Sequence, residues 1–313
     1  MKVNFIRISL LAVVAIVGFF LLNLTEVKPD KNTEVYIKKD SLIVSKSVSD
    51  TYEVKAVKVP ETLEFAGERV PLEKSDIFER LDRELLVNTY WQSNALLLIK
   101  RANKFFPLIE PLLKKYNLPD DFKYLCVAES ALIQVPSHKG AAGYWHFLPG
   151  TGRDYGLEVN KNVDERYNLE LSTQAAAKYL NDSKEKFGSW TLAAAGYNAG
   201  NARISKRLKE QKVENYYDLL LNVETGRYVF RILALKEIMS NPKKYGFLYE
   251  KGDLYTYPEV KEIIVDTPIE NIADFAKQYN ITYKELKIVN PWLRETKLNN
   301  KSGKKYKIKI PVK

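Results

Sequence analysis

One glutamate stands out among the residues that could do chemistry. Glu129 lies near the expected end of a helix, and its neighbours Val127, Ala128, Ala131 and Leu132 are all apolar. Apolar surroundings disfavour a charged carboxylate and raise its pKa, so the group stays protonated near neutral pH. A protonated carboxyl of this kind has the property required of a general acid. Because most helical glutamates are simply solvated, this pattern alone does not define a site.

The other reactive residue types are scarce. The sequence contains one cysteine and two histidines, which are too few and too far apart for a zinc site, so we predict no metal and no cofactor. A lone cysteine also excludes an intramolecular disulfide framework. Cys126 lies in the apolar run of residues 124–128, and we interpret it as a buried core thiol.

Length and charge set broad limits on the protein class. The 313 residues fit one large domain or two modest ones. The formal net charge of +10 comes from lysines and arginines spread along the chain. A positive net charge of this size fits a polyanionic partner, such as nucleic acid, an anionic membrane face or a cell-wall polymer. The alternative is that the charge serves solubility alone.

Residues 1–25 have the features of an export segment. Lys2 and Arg7 precede the uncharged residues 8–25, whose apolar centre is residues 10–22. We interpret the segment as a membrane anchor, with a cleaved signal peptide as the alternative, because no small-residue cleavage motif stands out. No cysteine follows it, which excludes lipid modification there. Positive charge before the span places the remaining chain outside, on the periplasmic side of the envelope, which argues against nucleic-acid binding.

The next two regions differ in pattern. Residues 26–75 are polar, and we predict a tether in which residues 34–38 and 41–48 have the composition of short strands. Apolar residues at helical spacing then predict an all-α domain over residues 76–245, with a break or kink at Pro107 and Pro111. A loop with several glycines is expected over residues 137–156. The expected helices cover residues 76–90, 92–116, 119–135, 171–187, 189–198 and 222–240.

The chain changes character after Pro242. Residues 263–265 and 305–310 have strand composition, and residues 271–279 and 282–289 have helical composition. This order predicts a small separate β-α-α-β module over residues 258–313. The predicted fold class is therefore mainly α, with one all-α domain followed by this module.

Five short motifs follow one another within residues 119–231, and together they are highly specific. In this order they resemble the catalytic domain of the lytic transglycosylases, a lysozyme-like fold, and more closely the membrane-bound lytic murein transglycosylase D group. The motifs are AES at 128–130, GAAGYWHFLP at 140–149, VDER at 163–166 followed by ST at 172–173 and AAA at 175–177, AGYNAG at 195–200, and ETGRYV at 224–229.

The resemblance implies a reaction. Members of this family cleave the MurNAc-β-1,4-GlcNAc bond of peptidoglycan and leave 1,6-anhydroMurNAc ends. Glu129 matches the family's catalytic glutamate, which acts first as acid and then as base. One alternative is a lysozyme-like hydrolase on the same fold, which needs a water activated by a second acid such as Glu224. Another is a non-catalytic peptidoglycan-binding protein.

The same motifs imply substrate-binding residues, each with a structural alternative. Ser130 either bonds substrate or caps its helix. Tyr197 and Asn198 supply a hydroxyl and an amide that orient Glu129 or hold an acetamido group. Glu224 is either a second acid near the substrate or a capping or ion-pairing residue.

His146 is also expected to bind substrate, and here the sequence departs from the family. His146 replaces a usual glutamine, Tyr144 a leucine and Gly196 an alanine. A neutral histidine can still donate and accept through two ring nitrogens, and it could become charged at mildly acidic pH. Trp145 and Phe147 either offer apolar faces to a sugar or pack in the core, and we favour the core.

Residues 260–312 resemble a LysM domain, which implies binding to N-acetylglucosamine polymers. Such a module would hold the enzyme on its insoluble substrate and raise the effective concentration. The alternative is an appendage whose sugar groove has decayed. We expect a monomer at the cell envelope that acts on peptidoglycan glycan strands and contacts the membrane through residues 1–25. The features that carry the resemblance are Asp266-Thr267, Ile272-Ala273, Tyr279, Ile281-Thr282, Leu286, Asn290-Pro291 and the closing segment 306–311.

Overall fold

The computed structural model describes residues 54–312. The expected export segment and the two expected strands at residues 34–38 and 41–48 lie outside these residues. In the described part of the chain, no helix combines the length and the apolar character needed to cross a bilayer.

The described chain is mainly helical, which confirms the predicted fold class. A short hairpin precedes eight helices, and a β-α-α-β unit follows them. The elements are β1 (Glu64–Phe65), β2 (Glu68–Arg69), α1 (Ser75–Tyr90), α2 (Gln92–Lys115), α3 (Phe122–Ser130), α4 (Pro149–Asp154), α5 (Leu169–Phe187), α6 (Trp190–Ala199), α7 (Asn201–Gln211), α8 (Val223–Ser240), β3 (Val260–Val265), α9 (Ile272–Lys277), α10 (Tyr283–Val289) and β4 (Tyr306–Pro311).

Helix α3 lies at the centre of the helical part and packs on α2 and α8. Its residues Phe122, Leu125 and Cys126 are fully buried, which confirms the assignment of Cys126 to the core. Burial also raises the pKa of the Cys126 thiol well above its usual value. Helix α3 ends where Ala131 adopts a left-handed backbone conformation with φ 51°, so the last turn, which carries Glu129, is fixed by the core beneath it.

The segment before α1 differs from the predicted tether. The β1–β2 hairpin buries Phe65 completely, and its ring packs edge-on against Phe122 at 5.2 Å between centroids. The Glu68 carboxylate accepts hydrogen bonds from the Trp190 and Thr191 amides at 2.6 and 2.9 Å, at the start of α6. A carboxylate there satisfies otherwise unpaired helix amides and complements the helix dipole. The packed unit therefore begins well before residue 76.

The prolines and the glycine loop need comment. Helix α2 has nearly the predicted bounds and runs through Pro107 and Pro111 without the break that was one of the two expected outcomes, because each proline removes one hydrogen bond while its neighbours Phe105, Ile109 and Leu113 stay buried. The expected glycine loop contains a short helix, α4. Helix α7 had not been predicted, since Ile204 is its one buried residue and the apolar pattern is correspondingly weak.

The C-terminal unit has the predicted strand–helix–helix–strand order. Strands β3 and β4 pair antiparallel, in a register that runs from Val260 opposite Pro311 to Val265 opposite Tyr306. Helix α10 begins with a capping box in which Thr282 and Glu285 exchange hydrogen bonds between side chain and backbone. We call residues 260–312 the C-terminal module.

Candidate active site

Glu129 is held in apolar surroundings but remains accessible. Its side chain is 16% exposed. Burial is the main cause that raises the pKa of its carboxyl to about 7, and the nearby charge of Glu224 adds to the rise. A hydrogen bond from Tyr228 and the positive charge of Arg231 act in the opposite direction. The carboxyl is therefore half protonated near neutral pH, as a group that both gives and takes a proton requires.

Tyr228 is the hydrogen-bond partner of this carboxyl. Its hydroxyl donates to Glu129 Oε1 from helix α8, and the tyrosine side chain is buried. Burial raises the pKa of Tyr228 well above its usual value, so the phenol keeps its proton. The sequence had placed Tyr228 on the apolar side of α8 and in the ETGRYV motif, but had not identified it as a partner of Glu129.

His146 approaches the same carboxyl from the other side. Its Nδ1 atom lies 3.9 Å from Glu129 Oε2, which is too long for a hydrogen bond. Burial lowers the pKa of the imidazole, so the ring is neutral at neutral pH. Charging His146 therefore needs a more acidic pH than an exposed histidine would need. Its Nε2 atom lies 3.3 Å from the carbonyl oxygen of Val135, which fixes the ring over the site.

The loop that carries His146 is held by a buried arginine. Arg166 donates through Nη1 to the carbonyl oxygens of Gly140 and Phe147 at 2.8 and 3.0 Å. Its Nε and Nη2 atoms donate to the two carboxylate oxygens of Asp164 at 2.9 and 2.7 Å. One side chain thus ties both ends of residues 140–147, which we call the substrate loop. The VDER motif supports the loop that the GAAGYWHFLP motif forms.

Gly143 is needed for this close approach. Its φ is +81°, and a Cβ atom there would lie 1.8 Å from the backbone oxygen of Arg166. We expect Gly143→Ala to destabilise the protein by about 3 kcal/mol, since backbone atoms must move. Gly140→Ala is the matched control, because Gly140 has a similar φ of +79° but open space around its Cβ position. That variant should lose only about 1 kcal/mol, the cost of the left-handed conformation.

Urea unfolding monitored by circular dichroism measures both losses. Equal free energies of unfolding for the two variants would show that the Arg166 contact is not tight.

The Tyr197–Asn198 pair supports the site without bonding to Glu129. The Tyr197 hydroxyl donates to the backbone oxygen of Trp145 at 2.7 Å, inside the substrate loop. The Asn198 side-chain oxygen accepts from the Thr225 hydroxyl at 3.0 Å, on the first turn of α8. The expected orientation of Glu129 by this pair is therefore indirect, and the direct partner is Tyr228.

The contacts of three other residues agree with the structural alternative stated for each. The Ser130 hydroxyl donates to the Cys126 carbonyl and accepts from the Leu132 amide, both at 3.1 Å, and thereby caps the end of α3. Trp145 is fully buried and donates through Nε1 to the Thr173 hydroxyl at 2.9 Å. Phe147 is also buried. The core, rather than a sugar, occupies the faces of these two aromatic rings.

Glu224 is exposed on the first turn of α8. The cap of that helix is Asn222, whose side-chain oxygen accepts from the Thr225 amide at 2.9 Å. Among residues 54–312, no cation lies within salt-bridge distance of Glu224, and its role near the substrate stays a prediction. Its negative charge makes a minor contribution to the raised pKa of Glu129.

The described residues offer no metal site, and a cavity lies apart from Glu129. Over residues 54–312, no group of three or more His, Cys, Asp or Glu side chains is arranged to hold a metal ion. A cavity of about 550 Å³ opens between the C-terminal module and helices α2 and α5. It is lined by residues such as Tyr116, Glu170, Tyr257 and Lys305, and Glu129 is not among them.

The Glu129 carboxyl is accessible, has a pKa near neutrality and lies beside Tyr228 and the substrate loop in a helical domain. This arrangement agrees with the family matches. Residues 107–220 match the transglycosylase SLT domain family. Residues 261–313 match the soluble lytic transglycosylase C-terminal LysM-like domain. The resemblances stated from the sequence motifs are thereby confirmed at the level of both domains.

Two similar proteins carry the same name. Membrane-bound lytic murein transglycosylase D from Escherichia coli strain K12, and that from E. coli O6:H1 strain CFT073, are each 32% identical to this chain over 219 residues. The matched region covers 68% of this chain and 47% of each relative. The chain thus aligns with about half the length of these relatives.

Proposed function

We propose that the protein is a peptidoglycan lytic transglycosylase that cleaves the MurNAc-β-1,4-GlcNAc bond and leaves 1,6-anhydroMurNAc ends. The observation that carries the proposal is the Glu129 carboxyl, with a pKa of about 7 and a side chain that solvent can still reach. The SLT domain match and the two murein transglycosylase relatives support the same activity.

A single carboxyl can serve both halves of the reaction. Protonated Glu129 gives its proton to the glycosidic oxygen as the bond from C1 of MurNAc to that oxygen breaks. The substrate's own 2-acetamido group stabilises the oxocarbenium-like centre. Ionised Glu129 then takes the proton from the C6 hydroxyl of the same MurNAc as that oxygen bonds to C1. The proton returns to Glu129, no water is consumed and no cofactor takes part.

The second candidate is hydrolysis on the same fold. It is favoured by the exposed Glu224, whose charge acts on Glu129 and which would activate a water at the anomeric carbon. The retaining and inverting hydrolases need such a second carboxylate. A transglycosylase does not need it. Glu224→Gln should therefore abolish fragment release by a hydrolase and leave fragment release by a transglycosylase largely unchanged.

Mass spectrometry of the fragments released from purified sacculi tests the proposal. A transglycosylase gives MurNAc ends that are lighter by one water than those from hydrolysis. Hydrolytic ends would overturn the proposal in favour of the second candidate. Release of no fragments, with retained binding to sacculi, would identify a non-catalytic wall-binding protein.

The same matches support a proposal about partners and location. We propose that the LysM-like module binds the glycan strands and that the protein works at the cell envelope. The name of the relatives includes "membrane-bound", which agrees with an anchor or export role for residues 1–25. Co-sedimentation with sacculi measures the first property, and fractionation of cells measures the second.

Removal of the Tyr228 hydroxyl should change the pH profile. The hydrogen bond from Tyr228 lowers the pKa of Glu129, so Tyr228→Phe should raise that pKa and move the alkaline loss of activity upward by about one pH unit. The turnover number should also fall about tenfold, because the carboxyl loses its orienting partner.

The control for this experiment is Tyr124→Phe. Tyr124 lies on the same helix as Glu129, but its hydroxyl bonds to Ser240 at 3.0 Å. This variant should keep the wild-type pH profile. An unmoved alkaline limb in Tyr228→Phe would show that the tyrosine does not act on the titrating group.

A further inference from the structure

The C-terminal module contacts the helical domain around one polar anchor, Asn162. Asn162 is buried, and the module provides partners for its side chain. Its amide nitrogen donates to the Lys297 carbonyl at 2.7 Å and to a Glu295 carboxylate oxygen at 3.0 Å. Its amide oxygen accepts from the Asn299 backbone amide at 2.8 Å, and its backbone oxygen accepts from the Arg294 amide at 2.9 Å.

The chain on either side of this anchor is joined to the module as well. The Asp164 amide donates to the Trp292 carbonyl at 2.9 Å, and Val163 forms a bridge with Leu293. The Arg294 guanidinium lies 4.1 Å from the centroid of the Tyr167 ring. Ala142, Val163 and Tyr167 belong to the same buried apolar cluster as Trp292 and Leu293.

Ion pairs extend the contact. Lys304 Nζ lies 2.6 Å from a Glu165 carboxylate oxygen and 2.7 Å from one of Glu158. Lys309 pairs with Glu170 at the start of α5. The Glu165 side chain is 5% exposed, and such a charge is costly to leave without its partner. The module is therefore fixed to the helical domain rather than carried as a free appendage.

The docked segment also supports the substrate loop. Asp164, whose amide is bonded to the module, holds the guanidinium of Arg166. Arg166 in turn binds the carbonyl oxygens of Gly140 and Phe147 at the two ends of the loop. Ala142, from inside the loop, packs in the apolar cluster of the module. The module is thus connected to the loop that carries His146 in two ways, through Asp164 and Arg166 and through the packing of Ala142.

We propose that the C-terminal module braces the substrate loop, with Asn162 as the positioning residue, and so sets turnover even on glycan that needs no tethering. The kinetic half of this inference rests on the proposed function, whereas the brace itself does not. Tethering alone raises effective concentration and leaves the turnover of a soluble strand unchanged. A brace acts on the geometry of the site, where small displacements have large effects on rate.

The test compares two Asn→Ala variants of the full chain. Asn162→Ala removes the anchor, and Asn271→Ala removes a helix cap inside the module, where its side-chain oxygen accepts from the Ala273 amide at 2.8 Å. Hydrogen exchange of residues 140–147 reports on the loop without requiring activity. The amides of Ala142 and His146 are informative, since both bond within the loop. Steady-state kinetics on short soluble uncrosslinked glycan strands reports on turnover.

For Asn162→Ala we expect loop exchange about tenfold faster than in the wild type. We expect kcat on soluble strands to fall about tenfold, with KM changed less than about twofold. Asn271→Ala should match the wild type in both measurements. Unchanged loop exchange in Asn162→Ala, or equal acceleration in both variants, would overturn the brace.

Two mixed outcomes are also decisive. Faster loop exchange in Asn162→Ala, with a wild type that cleaves neither strands nor sacculi, supports the brace and refutes the proposed function. In the other outcome, Asn162→Ala shows faster loop exchange and reduced release from sacculi, but its kcat on soluble strands is unchanged. The module would then tether the enzyme without setting turnover, which overturns the kinetic half of the inference.

Discussion

Replacement of Glu129 by glutamine should lower the release of fragments from sacculi by at least about a thousandfold. Acid or base catalysis by one positioned group contributes about 10²–10⁴ in rate, and here one group supplies both functions. The amide keeps the shape of the carboxyl and can still accept from the Tyr228 hydroxyl, so the fold should persist. Chromatographic quantification of the released muropeptides measures the loss.

The matched control is Glu110→Gln. Glu110 lies on α2 and pairs with Lys123 at 2.8 Å, with its side chain 43% exposed. This variant makes the same chemical change at a surface position and should keep full activity. Wall cleavage retained by Glu129→Gln would contradict the assignment of Glu129 as the acid.

Activity should fall steeply as the pH rises above neutral. The protonated form of Glu129 is the active one at the first step, and its pKa is raised to about 7 by burial. The protonated fraction then falls tenfold for each pH unit above the pKa. We expect kcat/KM on soluble glycan strands to fall about a hundredfold between roughly pH 6 and pH 9.

The pH at which the decline begins distinguishes Glu129 from an ordinary glutamate. An acid with the unperturbed pKa of about 4.3 would already lose activity tenfold per pH unit below about pH 6, whereas a carboxyl that is not the acid would leave the rate unchanged between about pH 6 and pH 9. A flat profile would therefore contradict a buried acid. Circular dichroism at each pH provides the control that the protein remains folded.

Much of the helical framework was predictable from the sequence. Apolar spacing and capping residues located α3, α5 and α8 within a few residues, and the position of Glu129 between apolar neighbours predicted its burial. These features are local, since they depend on residues one or two helical turns apart. The buried Cys126 and the order of the C-terminal module were predictable for the same reason.

The contacts that complete the site are not local. Tyr228 donates to Glu129 across 99 positions of sequence, and the spacing of apolar residues in α8 marked it only as a core residue. Nothing in the pattern around Asn162 indicates that its partners lie more than 130 positions away. Phe65 stood in a polar segment that lacked helical periodicity, and the hairpin it anchors was therefore assigned to the tether.

The contacts of two motif residues agree with their structural alternatives. The hydroxyl of Ser130 bonds within the end of α3, and the indole of Trp145 bonds to Thr173 on α5. A residue next to a catalytic motif can therefore serve only to hold its neighbour. Sequence position within a motif does not distinguish a residue that contacts substrate from one that holds its neighbours, because the distinction depends on the direction in which the side chain points.

The central claim is that Glu129 carries a proton near neutral pH, and carbon-13 NMR of the full chain labelled at glutamate side-chain carboxyls tests it most directly. The resonance absent from Glu129→Gln identifies the group. We expect it to titrate with a pKa of about 7, well above the value of about 4.3 for an unperturbed glutamate. A midpoint near the unperturbed value would contradict the account, since the group would then be ionised when the first proton must be given.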